Sequence, residues 1–167
     1  MAANPSLRIS ICGKECLAEI EPLWKALQEY HIEIGEHLGR MRSPEESWNR
    51  RRHHYLDWLE SPDSYILLAR VDRKAVGYAF VASQQPSAAY RTPEKAAELK
   101  TLSVLPQYRG QGVGDALMQE LFKVLRRREV SELAIGVFTN NADAIRFYER
   151  YGFRPRYTVM WGEIPRY

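Results

Sequence analysis

The stretch PQYRGQGVGDALMQELF, residues 106–122, places three glycines directly before a segment with helical periodicity. Gly110, Gly112 and Gly114 follow Arg109, and apolar residues then recur at i, i+3 and i+4 spacing. A helix N-terminus presents N–H groups without intrahelical acceptors and carries a partial positive charge. Because glycine lets a backbone approach a ligand closely, the stretch predicts an anion-binding loop that opens a helix, with Arg109 as a cation at its rim.

Two common phosphate-binding motifs do not fit this loop. The P-loop requires Lys and then Ser or Thr after its last glycine, whereas Asp115 and Ala116 follow Gly114. The dinucleotide motif G-x-G-x-x-G requires a glycine where Asp115 stands. A tight turn without a ligand is the alternative for such a glycine cluster taken in isolation.

Periodicity and turn residues predict ten elements along the chain. In order they are a strand at 6–12, a helix from 16 to about 39, a helix that begins after Ser43, strands at 64–72, 75–83 and 96–104, a helix from about 112 to 128, a strand at 132–138, a helix at 141–151 and a strand at 157–164. The two residues Arg73 and Lys74 are the expected hairpin turn. This order predicts a mixed α/β sheet with helices on its faces.

Composition predicts one globular domain over residues 1–167, with 45% apolar and 27% charged residues. No apolar run approaches the roughly 20 residues that a membrane span needs, and the first residues lack the order of a signal peptide. A cytoplasmic protein without a membrane partner is therefore expected. The net charge of +3 does not by itself indicate nucleic acid, but it suits a small polyanion.

The two cysteines, Cys12 and Cys16, provide no disulfide framework. A C-x-x-x-C pair without other cysteines or a histidine cluster is a weak metal signal, so no bound metal is expected. Given a cytoplasmic location, we expect both thiols to be reduced.

Two blocks of the chain resemble the GNAT superfamily of N-acetyltransferases. In LSVLPQYRGQGVGDAL, Leu102 and Val104 match the end of a strand, and Arg109, Gly112 and Gly114 match the family's R/Q-x-x-G-x-G/A loop. The second block, NNADAIRFYERYGF, resembles the family's N-x-x-A-…-Y-E-…-G-F segment. The matching residues are Asn141, Ala144, Tyr148, Glu149, Gly152 and Phe153. The resemblance covers about residues 64–155. It implies a GNAT fold: a mixed, mostly antiparallel sheet of six to seven strands, splayed between the fourth and fifth, with about four helices.

The resemblance implies acetyl-CoA as the acyl donor. Its pyrophosphate is expected on the backbone of the loop, and its pantetheine arm along the preceding strand, with the N–H of Leu102 as an oxyanion donor to the thioester carbonyl. The cofactor-binding residues implied in this way are Leu102, Ser103, Val104, Arg109, Gly110, Gln111, Gly112, Val113, Gly114, Asp115, Asn141, Ala144 and Tyr148. Asn141 has a second reading as the N-cap of the helix that it precedes.

Two residues are the expected catalytic groups. Tyr148 stands where the family has its tyrosine acid, and a core aromatic is the alternative. Glu98 matches the glutamate base of the family's histone-type branch; an undistorted strand would place it on the same face as Leu102, although a β-bulge could reverse that direction. A solvated ion pair between Glu98 and Lys100 is the other reading, with ordered water as the base.

The expected acceptor is a primary amine, either a small amine or an amino-acid-like compound. The alternative acceptors are a protein N-terminus, a lysine and an aminoacyl-tRNA. A further alternative is a non-catalytic acyl-CoA-binding module. The resemblance implies an acceptor pocket built largely from the first two helices, their connection and the late strands. Its residues here include Tyr30, Glu33, Glu36, His37, Trp48, His53, His54, Tyr55 and Trp58. The NRRRHHY segment, residues 49–55, reads as a solvated helix face rather than an RNA site. Dimers are common in the family, so a homodimer is a further expectation.

Overall fold

The computed structural model describes residues 7–35, 39–91 and 95–166. The chain divides into two compact units, one up to Gly136 and one from Val137 onward. Each unit is described by itself below, and the single domain over residues 1–167 stays a prediction.

The first unit contains a five-stranded sheet. Its strands are β1 (Leu7–Cys12), β2 (Tyr65–Val71), β3 (Lys74–Gln84), β4 (Ala96–Val104) and β5 (Glu132–Ile135). They lie in sequence order, with antiparallel pairing throughout except between β4 and β5, which run parallel. The mixed, mostly antiparallel sheet is therefore confirmed.

Four α-helices accompany these strands among the described residues. They are α1 (Leu17–Gly35), α2 (Pro44–Trp58) and α3 (Val113–Arg127) in the first unit and α4 (Ala142–Glu149) in the second. The predicted start of α2 is confirmed, because Ser43 forms a capping box with Glu46 and Pro44 occupies the first turn. The predicted end of α1 near residue 39 falls in part on residues 36–38, outside the described residues.

The prediction of six to seven strands was too high. Residues 154–166, which include the last strand expected at 157–164, form neither strand nor helix. A strand requires a hydrogen-bonded neighbour, and no described strand pairs with this segment. Alternating apolar residues alone therefore do not make this segment a strand. Tyr157, Met160 and Trp161 are exposed.

The hairpin turn between β2 and β3 lies one residue earlier than expected. Asp72 and Arg73 form it, with φ values of 49° and 67°. Positive φ at both central residues is characteristic of a type I′ turn, whose twist matches that of the two flanking strands. Lys74 therefore begins β3 instead of closing the turn.

The core on one face of the sheet is aromatic. Tyr55 of α2 stacks on Phe80 of β3 with 4.0 Å between ring centroids. Its buried hydroxyl lies 3.0 Å from that of Tyr78 and 2.6 Å from Oγ1 of Thr101. Helix α2 is thereby fixed against β3 and β4.

The expectation of reduced cysteines was wrong in this structure, since Cys12 and Cys16 are joined by a disulfide. Cys12 ends β1, and a short 3₁₀ helix at Lys14–Cys16 brings the two Cα atoms to 6.2 Å. That separation lies within the usual range for a disulfide. A tight turn so close to a strand end was not visible in the spacing of the cysteines.

The described helices include none that combines the length and the apolar character needed to cross a membrane.

Candidate functional site

The sheet opens between β4 and β5. Strand β5 pairs with β4 only from Ala96 to Leu99 and ends at Ile135, whereas β4 continues to Val104. The predicted splay between the fourth and fifth strands is therefore present. The last residues of β4 have a backbone edge with which no described strand pairs.

The open edge carries the N–H group of Leu102. Leu105, just after β4, donates its N–H to the carbonyl of Val76 at 2.9 Å and thus faces β3. Because successive residues direct their backbone groups alternately to the two sides of a strand, Leu102 and Val104 face away from β3. The carbonyl of Val104 accepts a hydrogen bond from Arg109 Nε at 3.0 Å instead of from β3, which supports this orientation.

Beyond β4 the chain forms a glycine loop that starts α3. Gly110 and Gly112 have φ values of 71° and 82°, which side-chain-bearing residues rarely adopt. A Cβ atom at either position would point into open space, so conformation and not crowding requires glycine. The first intrahelical bond runs from Ala116 N–H to Gly112 O, and no side chain caps the helix. The first amides of α3 are thus presented at an uncapped helix start.

Arg109 fixes the loop to the strand and to α1. Besides its bond to Val104, its guanidinium lies 5.1 Å from the ring centroid of Tyr30. Gln111 adds a bond from its side-chain amide to the carbonyl of Gln107 at 2.7 Å. The loop is therefore held in shape by its own side chains while Gly112 leaves the helix start uncovered.

Glu98 lies on a different face from the one that an undistorted strand would give. The register pairs Phe80 with Thr101 but Val81 with Leu99, so Lys100 is an extra, bulged residue of β4. Two neighbours in sequence consequently project to the same face: Thr101 bonds Tyr55, and Lys100 Nζ lies 4.7 Å from the ring centroid of Trp58.

Glu98 belongs to this helix-facing side as well. It pairs in register with Ala82, a member of the aromatic core, and its carboxylate forms an ion pair with Lys100. The side chain of Leu102, next to Thr101, points to the opposite face. The predicted Glu98–Lys100 pair is thus present, and the two side chains are only 25% and 20% exposed.

Ser103 is placed away from the open edge. Its hydroxyl is buried and donates to the carbonyl of Leu23 in α1 at 3.2 Å. Its backbone groups, like those of Leu105, face β3. The predicted cofactor contact at Ser103 therefore has no support in this arrangement, since alternation along β4 assigns only Leu102 and Val104 to the edge.

The remaining predicted residues lie in the second unit. Asn141 is the N-cap of α4, because its Oδ1 accepts from the N–H of Ala144 at 3.1 Å. Tyr148 is half-buried, with its ring centroid 6.2 Å from that of Phe153. Burial raises the pKa of the Tyr148 phenol well above its usual value, which keeps it protonated at neutral pH.

The predicted acceptor region is divided between core and surface. Trp48 and Tyr55 are buried and belong to the core, whereas His53 and His54 are exposed. Glu36 and His37 lie outside the described residues. A cavity of about 1010 Å³ lies at the connection between α1 and α2, lined by Ile32, Glu33, Gly39, Arg40, Met41, Arg42 and Ser43.

The reading of residues 49–55 as a solvated helix face overlooked Arg51. Arg50 and Arg52 are exposed, but Arg51 is half-buried with its Cζ 4.3 Å from the ring centroid of Trp24. Its position in a run of three arginines concealed this difference. Helical spacing from Tyr55, which is four residues along, was the signal that could have identified it.

No group of three or more His, Cys, Asp or Glu side chains is arranged to hold a metal ion within residues 7–35, 39–91 and 95–166.

The chain belongs to the GNAT family, because its residues 24–153 match the family described as Acetyltransferase (GNAT). A relative from Archaeoglobus fulgidus, described as an uncharacterized N-acetyltransferase, is 36% identical over 103 residues, which cover 60% of this chain and 67% of the relative. The matches to the first five curated relatives span from 46% to 67% of those proteins' own lengths.

Solved structures share the fold. A tetramutant of the BH1408 protein from Bacillus halodurans has a TM-score of 0.73 and 21% identity, covering 95% of this chain and 99% of that one. The aminoglycoside N-acetyltransferase AAC(6')-Iy in complex with CoA has a TM-score of 0.69 and 15% identity, covering 95% and 94%. The predicted family and fold are therefore confirmed.

Proposed function

We propose that the protein is an acetyl-CoA-dependent N-acetyltransferase that acts on a small primary amine. One observation carries the proposal: the open edge of β4 leads directly into an uncapped, glycine-started helix. A strand edge suits an extended amide-containing chain, and a helix start suits phosphate. Both features follow one another in the order in which pantetheine and pyrophosphate follow one another in coenzyme A.

The residues present fit this donor. Backbone N–H groups from Gly110 to Asp115 would hold the pyrophosphate, and Leu102 and Val104 would pair with the pantetheine arm. The open space beside Gly110 and Gly112 supports this assignment, because a ligand can approach the backbone there. When bound, acetyl-CoA supplies the acetyl group as a thioester.

The N–H of Leu102 would donate to the carbonyl oxygen of the acetyl group. Negative charge grows on that oxygen as the amine attacks, and a fixed donor stabilises it most in the transition state. The role belongs to the backbone, so the side chain of Leu102 on the opposite face is not required for it.

The acceptor nitrogen must lose a proton before it attacks, because an alkylamine with a pKa of about 10.4 is protonated at neutral pH. Glu98 is the proposed base, directly or through a water molecule. Lys100 engages its Oε2, which leaves Oε1 to accept a proton. A new N–C bond then forms as the C–S bond breaks, and the nitrogen gives up its second proton.

Tyr148 is the proposed acid for the departing sulfur. A tyrosine phenol is protonated at neutral pH, so its O–H is present to be donated to the departing thiolate. The acceptor ammonium thus loses two protons in all. One leaves through Glu98 to solvent, and the other replaces the proton that Tyr148 gives to the thiolate.

Named relatives support the reaction class. The first relative is described as an N-acetyltransferase, and AAC(6')-Iy is an aminoglycoside N-acetyltransferase in complex with CoA. A mycothiol acetyltransferase of Brachybacterium faecium is 31% identical over 96 residues. These acceptors differ widely, so the relatives support acetyl transfer more than any one acceptor.

The proposal is tested by following thiol release from acetyl-CoA with small amines, amino acids, peptides and aminoglycosides. We expect release that depends on the acceptor, with the acetyl group found on its nitrogen by mass spectrometry. Tight acetyl-CoA binding without transfer to any amine would instead favour a binding module. Transfer to peptides alone would overturn the small acceptor.

A further inference from the structure

Two cations meet at one indole ring beside the open edge of β4. Arg51 Cζ lies 5.6 Å and Lys100 Nζ 4.7 Å from the ring centroid of Trp58 in α2. Lys100 is the bulged residue of β4 and the first residue after the part of β4 that pairs with β5. The pair of cations therefore flanks the region where an acceptor would meet the acetyl group in the proposed reaction.

The charges at this ring do not balance. Glu98 forms an ion pair with Lys100, whereas Arg51 forms none with a described carboxylate. Arg51 contacts the rings of Trp24, Tyr55 and Trp58 instead. Among residues 7–35, 39–91 and 95–166, this half-buried guanidinium thus has aromatic contacts but no ion pair.

His31 of α1 adds no charge beside Arg51 at neutral pH. Burial and the positive charge of Arg51 lower the pKa of His31 to about 4, so this ring is neutral at pH 7. The cavity at the connection of α1 and α2 has two arginines, Arg40 and Arg42, against one acid, Glu33. Arginines therefore outnumber acids among the residues that line this cavity.

The geometry of Arg51 suits one kind of partner. Three aromatic ring centroids lie within 5.6 Å of its Cζ, and the N–H donors lie in the guanidinium plane. A planar fork of donors binds a carboxylate through two parallel hydrogen bonds. A polycationic acceptor would be repelled by Arg51.

We propose that Arg51 binds a carboxylate of the acceptor, and that the acceptor is a small amino acid whose amine is directed by this contact toward the open edge of β4. The assignment rests on the proposed acetyl transfer and adds the chemical class of its acceptor. Arg51 is the residue that determines this specificity, and Trp24 and Trp58 hold its guanidinium.

The test compares matched acceptors that differ only in the carboxylate. Thiol release is measured with a set of amino acids and with the corresponding carboxamides, at saturating acetyl-CoA. We expect kcat/KM at least tenfold higher for the acids than for the carboxamides, and low activity with aminoglycosides. Arg51→Gln should raise KM for the acids at least tenfold and leave KM for the carboxamides within about twofold.

Two variants control this result. Arg52→Gln removes an exposed charge one residue away and should retain the preference for acids. Arg51→Lys keeps the charge without the planar fork, so it should weaken the preference even if Arg51→Gln fails to fold.

The outcomes separate this inference from the proposed function. Equal kcat/KM for acids and carboxamides, or an equal loss for both in Arg51→Gln, would overturn the role of Arg51 while acetyl transfer stands. Binding of acetyl-CoA without transfer to any amino acid would also overturn it. Failure to bind acetyl-CoA at all would overturn both proposals.

Discussion

Gly112 is the residue whose backbone conformation shapes the proposed phosphate site at the start of α3. Its φ of 82° and open surroundings explain why glycine stands there. We predict that Gly112→Asp weakens acetyl-CoA binding at least tenfold more than Gly112→Asn, because only the aspartate places a negative charge against the phosphates. Isothermal titration of both variants measures the difference.

The stability of the two Gly112 variants provides the control. Asparagine and aspartate tolerate positive φ better than other residues, and both are good helix caps. Chemical denaturation should therefore give both variants free energies of unfolding within about 1 kcal/mol of each other. Equal acetyl-CoA affinities for the two would contradict a phosphate site at this loop.

Removing the hydroxyl oxygen of Tyr148 distinguishes its proposed role as an acid from a role in acetyl-CoA binding. Tyr148→Phe keeps the ring that contacts Phe147 and Phe153 but deletes the proposed proton donor. We predict a decrease in kcat of at least about tenfold with an unchanged dissociation constant for acetyl-CoA, since acid–base groups contribute to the transition state. Unchanged single-turnover rates would show that Tyr148 is not the acid.

At the scale of elements, the bulge in β4 leaves only a weak signal in the sequence. In AAELKTLSV, residues 96–104, Leu99 and Leu102 are three residues apart, so the alternation shifts by one residue there, but this shift does not show that Lys100 is the unpaired residue. The bulge depends on the register with β3, which is a tertiary property. For that reason the strand and its contact residues were predictable, but the face of Glu98 was not.

The hydroxyl cluster beneath α2 stabilises the same region of β4. Tyr55→Phe removes one hydrogen-bond partner from each of the buried hydroxyls of Tyr78 and Thr101. We predict a loss of about 1–3 kcal/mol in the free energy of unfolding. In the double variant Tyr55→Phe/Thr101→Val, the loss should be smaller than the sum of the single losses, as urea denaturation would show. Additive losses would contradict the shared network.

His31 makes α1 sensitive to pH. Its folded pKa of about 4 lies below the ordinary value of 6.5, so between these values the unfolded chain binds a proton that the folded chain does not. Stability should therefore fall as the pH decreases from 6.5 to 4, by up to about 3 kcal/mol from this residue. Urea denaturation at several pH values should show a shallower fall in His31→Gln, with exposed His54→Gln as the matched control. Equal slopes in wild type and His31→Gln would refute the effect.

At the scale of the whole molecule, the order of elements was predictable up to α4 because each element has its own periodicity and its own end signals. Ser43 capped α2, and Gly112 preceded α3, as expected from local chemistry. The strand expected at 157–164 and the state of Cys12 and Cys16 depend on what those residues meet in space. Local patterns do not contain that information.

We propose that the amides of the loop after β4 bind the phosphates of acetyl-CoA, with Leu102 at the open edge beside them. Amide NMR during titration of the ¹⁵N-labelled protein with CoA tests this binding site. We expect the largest shifts on the amides from Gly110 to Asp115 and on Leu102. Saturable binding that leaves these amides unmoved, or no binding at millimolar CoA, would contradict it.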